Sequence, residues 1–190
     1  MVTTEQGCSK RITLTLAAIS DVEFLVEIKT NPNLWPYGND NSPDKGIVRQ
    51  RVTERIAGGH DPYKQYIIQL NGIGETIPIG ELHIYVHKEG CKSWQFGYCI
   101  LPEYRGQGYA TQASKIAAKL AFKDWGAHKV LTKIAAVNTP SIRVMEKLGF
   151  IREAVLRDEL FWNGGWIDQY QYSLLEDEIH RLEVTSTCNG

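Results

Sequence analysis

The sequence predicts an α/β fold of the mixed (α+β) kind, in one domain. Stretches with alternating apolar residues, typical of strands, recur between stretches with the apolar periodicity of helices. The 190 residues suit one domain that buries about 70% of the surface of its unfolded chain. The chain contains no internal repeat, low-complexity stretch or linker. We therefore expect a single domain over residues 1–190, with a core over about 10–178 and a frayed tail at 183–190.

The first half of the chain predicts a strand, two helices and then three strands. Residues 11–18 alternate as a half-buried strand does. Ser20 opens a helix that runs to about Thr30, because Ser20 and Glu23 have the spacing of a capping box. A loop rich in helix-breaking residues spans 31–41, and Ser42-Pro43 opens a second helix that ends at Gly58-Gly59. An antiparallel meander of three strands follows, over residues 64–70, 77–87 and 93–101.

The second half predicts a glycine-rich turn followed by alternating helices and strands. The turn spans residues 102–108, and Gly126 ends the helix after it. Thr139-Pro140 caps a short helix that ends at Leu148-Gly149. The remaining elements are a helix over 109–125 and strands over 128–137, 150–162 and 166–174.

Composition and charge exclude several classes of protein. Lys and Arg number 21 against 22 Asp and Glu, so the net charge of −1 argues against nucleic-acid binding through bulk charge. No apolar run reaches the roughly 20 residues that span a bilayer, and no signal peptide is recognisable at the N-terminus. The four cysteines show no metal-binding spacing. We expect a cytoplasmic protein with free thiols and no metal, which binds neither nucleic acid directly nor membranes.

The glycine-rich turn has the chemistry of a diphosphate site. The first N–H groups of a helix lack internal partners and carry partial positive charge. Gly106 and Gly108 remove the side chains that would hold an anion away from these groups, and Arg105 adds a charge. The turn lacks the Lys-Ser/Thr of a Walker A motif and the full spacing of a Rossmann motif, which argues against both. The alternative is that the glycines only form a tight turn.

A second motif makes the sequence resemble the GCN5-related N-acetyltransferase (GNAT) superfamily. Arg105-x-x-Gly108-x-Ala110 fits the acetyl-CoA signature of that family, and the helix that begins Asn138-x-x-Ser141 fits its second motif. The pattern is most similar to the RimJ/RimL-like branch, which includes the ribosomal-protein N-terminal acetyltransferases. The further matches are Asp21, Glu153, Arg157, Gly165, Trp166 and Asp168.

The resemblance implies a GNAT fold and acetyl-CoA as co-substrate. The sheet would be mixed, mostly antiparallel and splayed after its fourth strand, which carries a bulge, with helices on both faces. The fourth strand would bind the pantetheine arm, and the amide near Ile100 would stabilise the oxyanion. The residues implied to bind acetyl-CoA are Tyr98, Cys99, Ile100, Leu101, Arg105, Gly106, Gln107, Gly108, Tyr109, Ala110, Thr111, Asn138, Ser141 and Arg143.

The resemblance also implies direct attack of an amine on the thioester. Many relatives have a proton-donating Tyr where this chain has Met145, so Ser141 is the candidate donor. The alternative is a Ser141 that bonds only the backbone of its own helix. The candidate bases are Glu81, Glu103, Glu153 and Glu159. We take Glu153 as the catalytic candidate, although it could instead be a structural partner of Arg157. His83 and His87 are expected to be surface or core histidines rather than a metal pair.

The acceptor pocket is expected to be lined by the loop over residues 31–41 and by the Phe161–Trp166 hairpin. Its candidate residues are Trp35, Tyr37, Glu81 and Trp162. We expect an acetyltransferase whose acceptor is a protein N-terminal α-amine of the ribosomal-protein type. The alternatives are an acetyltransferase for a small amine (polyamine, amino acid or aminoglycoside) and a non-catalytic CoA-binding sensor. Polyamines and aminoglycosides would require an acidic cleft, for which Asp40, Asp44 and Asp168 are candidates. A homodimer is also expected from the branch.

Overall fold

The computed structural model describes residues 12–37, 44–59 and 62–184, and it confirms the mixed α/β class. The strands are β1 Ile12–Leu16, β2 Tyr63–Asn71, β3 Thr76–Lys88, β4 Ser93–Ile100, β5 Lys129–Ala135, β6 Ile151–Trp162 and β7 Gly165–Leu175. The helices are α1 Val22–Thr30, α2 Lys45–Ala57, α3 Tyr109–Asp124, α4 Thr139–Lys147 and α5 Arg181–Val184. Short 3₁₀ turns lie at Ile19–Asp21, Glu89–Cys91, Pro102–Tyr104 and Glu176–Glu178.

The seven strands form one mostly antiparallel sheet in the order β1-β2-β3-β4-β5-β7-β6. The pairs β1–β2, β2–β3, β5–β7 and β6–β7 are antiparallel. The pair β4–β5 is parallel, and its register spans three residue pairs, from Ser93–Lys129 to Gln95–Leu131. Such a short parallel register is what the predicted splay after the fourth strand requires.

Two helix starts differ from the prediction. Helix α2 begins at Lys45 because the Asp44 carboxylate accepts the backbone N–H groups of Gly46 and Ile47, at 2.7 and 3.1 Å. The predicted cap, Ser42-Pro43, lies outside the described residues. Helix α1 begins at Val22 rather than Ser20, since a 3₁₀ turn precedes it. Its first-turn Asp21 accepts the N–H of Ala18 at 2.8 Å.

The described chain forms two compact units, each built from two segments. The first comprises the described residues up to Tyr85 together with Tyr98–Ala113. The second comprises Val86–Gly97 together with the described residues from Ser114 onward. The single domain expected from the length stays a prediction.

The first unit is organised around an apolar cluster between α1, α2 and β2. Buried side chains recur on α1 with helical spacing, so one face of this helix is apolar. Ile67 of β2 is fully buried beneath both helices. The buried members of the cluster are Ala17, Val22, Leu25, Val26, Val48, Val52 and Ile67.

The second unit contains two interruptions in the β6–β7 ladder. Glu153 is an extra residue of β6, because Arg152 pairs with Tyr172 while Ala154 already pairs with Gln171. Asp158 has a φ of 51° and donates its backbone N–H to the carboxylate of Asp168 at 3.1 Å. The β6–β7 ladder thus bends at defined positions.

Candidate active site

The loop between β4 and α3, which we call the glycine loop (residues 102–108), enters a helix through two left-handed glycines. Gly106 and Gly108 have φ angles of 74° and 84°, and an added Cβ at either would meet no atom within 4 Å. The glycines are required by the left-handed backbone rather than by crowding. The first helical hydrogen bond runs from the Gln112 N–H to the Gly108 carbonyl at 3.1 Å. Gly108 thus stands at the N-terminus of α3, the end of a helix that attracts anions.

These features fit the diphosphate of acetyl-CoA. Two left-handed glycines leave open space in front of the N-terminus of a 16-residue helix. The exposed Arg105 reaches back, and its Nε donates to the carbonyl of Ile100 at 2.9 Å. This bond uses one of the five N–H groups of the guanidinium and fixes the loop to the end of β4.

The strands β3 and β4 approach each other closely next to the glycine loop. The N–H of Leu101 donates to the carbonyl of Ile79 at 2.9 Å. A Cβ built on Gly80 would lie 2.1 Å from the carbonyl oxygen of Cys99, so only glycine fits there. The described bulge lies in β3 at Ile79, which is skipped between the pairs Ile68–Gly80 and Gln69–Pro78. Backbone, rather than side chains, thus shapes this part of the site.

Cys99 contributes a protonated thiol to this region. Its side chain is buried, and its Sγ lies 3.7 Å from the carbonyl oxygen of Leu34. Burial, with the nearby charge of Glu81, raises the pKa of Cys99 to about 12. A thiol with such a pKa is not a nucleophile at neutral pH, so this arrangement offers no acyl-cysteine route.

Glu81 is the centre of a buried polar network in β3. Its side chain is fully buried, and the Lys29 ammonium of α1 donates to it at 2.9 Å. The Gln65 amide of β2 also donates to it. Burial alone would raise the pKa of Glu81, but the charge of Lys29 and the neighbouring His83 lower it to about 2. Glu81 was predicted to bind substrate, and the structure gives it protein partners instead.

Four half-buried rings form what we call the aromatic wall, Trp35, Tyr63, His83 and Tyr85. The His83 ring is stacked on Tyr63 at 5.5 Å and lies 5.7 Å from Trp35, between ring centroids. Tyr63 also stacks on Tyr85, at 5.6 Å. Trp35 belongs to the predicted acceptor loop, and His83 was expected to be a surface or core histidine, whereas the sequence analysis named neither Tyr63 nor Tyr85. The signal for Tyr85 was the alternation of residues 81, 83 and 85 on one face of β3.

Two cations already lie against the aromatic wall. The Lys29 ammonium is 5.8 Å from the centroid of the Trp35 ring, and the Arg55 guanidinium is 4.1 Å from that of Tyr63. Both distances are within the range of cation–π attraction. The predicted Tyr37 is half-buried at the end of the described part of this loop. Asp40 lies outside the described residues.

The second unit holds the residues of the second motif. Asn138 caps α4, because its Oδ1 accepts the N–H of Ser141 at 3.4 Å, so the cap is Asn138 rather than Thr139-Pro140. Ser141 is half-buried in the first turn, and Arg143 is exposed. Met145 is fully buried in the core of this unit.

Glu153 is held by three donors in the second unit. Lys129 Nζ lies 2.5 and 2.8 Å from its two oxygens, and Gln171 and Ser173 donate to it at 2.7 Å each. Partial burial would raise the pKa of Glu153, but these hydrogen bonds outweigh it and lower the pKa. Its described partners therefore differ from the Arg157 that the sequence suggested, and they make it a weak proton acceptor.

The aromatic hairpin is also in the second unit. Phe161 and Trp166 are exposed and meet edge to face with ring centroids 5.3 Å apart, and Trp162 is half-buried.

Asp44 and Asp168, the acidic candidates among the described residues, both accept backbone N–H groups. Within the described ranges, no three His, Cys, Asp or Glu side chains are grouped as metal ligands, and no helix is long and apolar enough to cross a membrane.

Comparison with known proteins shows the family. The family described as acetyltransferase (GNAT) domain matches residues 11–151. YnaD, an uncharacterized N-acetyltransferase of Bacillus subtilis (strain 168), is 32% identical over 158 residues, which cover 80% of this chain and 91% of YnaD. The spermidine N(1)-acetyltransferase of Escherichia coli (strain K12) is 32% identical over 164 residues, which cover 80% of this chain and 83% of that protein.

A solved structure agrees with the fold. The spermidine N-acetyltransferase of Vibrio cholerae, crystallised with CoA and spermine, superposes with a TM-score of 0.80 at 20% identity. The match covers 89% of this chain and 98% of that one. This likeness agrees with the mixed, mostly antiparallel sheet. By the family match over residues 11–151 and its N-acetyltransferase relatives, the chain belongs to the GNAT family and is an acetyl-CoA-dependent N-acetyltransferase.

Proposed function

We propose that the acceptor is a small primary amine of the polyamine class. The observation that carries this proposal is the 32% identity to the spermidine N(1)-acetyltransferase of Escherichia coli across 80% of the chain. The spermidine N(1)-acetyltransferase of Vibrio cholerae is also 25% identical over 90% of the chain. This choice departs from our first expectation, a protein N-terminal α-amine.

The aromatic wall supports a cationic acceptor. Aromatic faces attract ammonium groups, and Lys29 and Arg55 already lie over two of the rings. A polyamine carries an ammonium every few carbon atoms, so one end can rest on such faces while the other is acetylated. The alternative, a protein N-terminal α-amine, rests on the RimJ/RimL-like motifs and on YdaF of Bacillus subtilis (strain 168). YdaF carries the name of a ribosomal N-acetyltransferase and is 28% identical over 179 residues.

The two acceptor classes are separated by an assay of CoA release. Purified protein with acetyl-CoA would be offered spermidine, spermine, and peptides with free Ser, Ala or Met N-termini. We expect kcat/KM for spermidine to exceed that for any peptide by at least about 100-fold, a difference of roughly 2.7 kcal/mol in transition-state binding. N-acetylated peptides and spermidine acetylated at both primary amines control for background hydrolysis. A preference for a peptide N-terminus would overturn the proposal.

For the acetyl donor, we propose that the glycine loop and the end of β4 bind acetyl-CoA. The N–H groups of residues 106–111 hold the diphosphate, and the backbone of residues 98–100 holds the pantetheine arm. Arg105 and Leu101 are left out of these two sets because their N–H groups donate to the carbonyls of Pro102 and Ile79, at 3.2 and 2.9 Å. Asn138, Ser141 and Arg143 of the second unit stay the further CoA-binding residues that the family resemblance implies. Acetyl-CoA supplies the activated acetyl group, and the amide near Ile100 stabilises the oxyanion.

Ser141 is the proposed donor to the leaving sulfur. Its supporting observations are its half-buried place in the first turn of α4 and the burial of Met145, which has no proton to give. Replacing Ser141 with Ala should lower kcat by about 10²-fold, the usual contribution of a general acid, with little change in KM. Steady-state kinetics test this, with Ser141→Thr as the variant that keeps a hydroxyl. An unchanged kcat in Ser141→Ala would remove Ser141 from the reaction.

A further inference from the structure

A buried carboxylate beside a half-buried imidazole stands out in the acceptor region. Glu81 and His83 lie two residues apart on β3, so their side chains share one face of the strand. The Nδ1 of His83 is 3.6 Å from Oε1 of Glu81. At this distance the pair is an ion-pair contact and not a full hydrogen bond, and Nδ1 has no hydrogen-bond partner among the described residues.

A polyamine acceptor needs a base. This inference rests on the proposed function, because a primary alkylamine resembles the lysine side chain, of which less than about one part in a thousand is neutral at pH 7. Glu81 is badly suited to accept the proton, since Lys29 and Gln65 already occupy its oxygens. Glu153 is likewise held by three donors. The Nδ1 of His83, in contrast, takes part in no hydrogen bond among the described residues.

We propose that His83 accepts the proton of the acceptor amine and that Glu81 is its positioning residue. A carboxylate facing Nδ1 favours the tautomer with the proton on that nitrogen, so the lone pair lies on Nε2. The stacked rings of Tyr63 and Trp35 hold the imidazole plane. The side chain is 18% exposed, so the proton can pass on to water.

The charged groups around His83 suit this role. Lys29 faces it from α1, and the Arg55 guanidinium of α2 lies over the Tyr63 ring that stacks on it. Glu81 is the acidic partner on its own strand, Gln65 is its opposite in β2, and Tyr85 stacks beside it at 6.3 Å. The Glu81 carboxylate thus lies next to the ring, 3.6 Å from Nδ1, while the two cations sit on the ring's neighbours Glu81 and Tyr63.

The reaction balances with one proton released to solvent. The ammonium group of the acceptor gives one proton to Nε2 of His83, and its neutral nitrogen then attacks the thioester carbonyl carbon. A C–N bond forms, the C–S bond breaks, and the sulfur leaves with the bonding electron pair. The second proton of the nitrogen ends on that sulfur, which leaves as the thiol of CoA. His83 then returns its proton to water.

The test compares His83→Gln with the matched control His87→Gln, four residues further on the same face of β3 and exposed. We expect His83→Gln to lower kcat on spermidine at pH 7 by about 10²-fold, with the KM of acetyl-CoA within about twofold. The loss should shrink as the pH rises toward 10, because the free amine then forms without a base. His87→Gln should stay within about twofold of the wild type throughout.

A loss in His83→Gln that is equal at every pH, or no loss, overturns the proposal. Should His83→Gln fail to fold, carbethoxylation of the wild-type protein with peptide mapping replaces it, and activity that survives modification of His83 has the same meaning. The proposed function fails separately, when the wild type prefers a peptide amine to spermidine. The kcat of His83→Gln relative to wild type is then measured on that preferred amine. There, a loss of kcat that shrinks as the pH rises supports the role of His83.

Discussion

The glycine loop and the aromatic wall, the two regions proposed to bind ligands, differ in which parts of the chain they offer. The glycine loop offers backbone N–H groups, held by two left-handed glycines and one arginine bond. The aromatic wall is made of side chains from two strands and one loop, with the buried Glu81–Lys29 ion pair next to it. Backbone amides cannot titrate, whereas the wall contains an imidazole and a carboxylate. We therefore expect phosphate binding to be insensitive to pH and acceptor chemistry to depend on it.

The largest expected effect is that of Gly108→Glu in the glycine loop. A non-glycine residue at a φ of 84° costs about 1–2 kcal/mol, and the new carboxylate would repel the diphosphate. We expect at least a 100-fold weaker affinity for acetyl-CoA by calorimetry, which is about 2.7 kcal/mol. Since no atom lies within 4 Å of the added Cβ, the fold should survive.

Gly90→Glu is the control for the added charge, because the space around Gly90 is also open and its φ lies outside the left-handed region. It should bind acetyl-CoA as the wild type does. An unchanged affinity in Gly108→Glu would mean that the glycine loop is not the phosphate site.

The second-largest expected effect is a lower free energy of unfolding in Glu81→Gln, next to the aromatic wall. Breaking a buried ion pair costs about 3–5 kcal/mol, and the partial exposure of Lys29 places the expected loss near the lower end. Urea unfolding at pH 7 measures it.

The same variant should change the acid dependence of stability. The pKa of Glu81 is about 2 in the fold, below the ordinary value of a glutamate, so the unfolded chain binds the proton first as the pH falls. The contribution of Glu81 is complete above about pH 5 and is lost as the pH falls through 2. The difference between wild type and Glu81→Gln should therefore shrink between pH 5 and pH 3. A constant difference would contradict the lowered pKa.

The smallest effect is expected for Glu153→Gln. Its carboxylate is partly exposed and its contacts are local, so the loss of stability should be below about 1 kcal/mol. Activity should stay within about twofold, because Glu153 is held by Lys129 and two neutral donors. A 100-fold fall in kcat at neutral pH would instead make Glu153 the base, as the sequence first suggested, and would remove that role from His83.

The same contrast explains what could be predicted from the sequence. The glycine loop was predicted because its chemistry lies within seven consecutive residues that open a helix. The Glu81 network was not, since it joins residues 52 and 16 positions apart, Lys29 and Gln65, to one carboxylate. Strand and helix limits were predicted closely, except at α2. There Ser42-Pro43 had the stronger local pattern, but Asp44 forms the hydrogen bonds of the cap.

The buried thiol of Cys99 makes β4 a natural reporter of local opening. A thiol with a pKa of about 12 resists alkylating reagents while it is enclosed, whereas the exposed Cys91 remains accessible. Labelling of Cys99 then requires that its strand and the segment near Leu34 separate for a moment. The time course of alkylation, followed by mass spectrometry, would thus measure how often β4 opens at Cys99. Acetyl-CoA should slow that reaction.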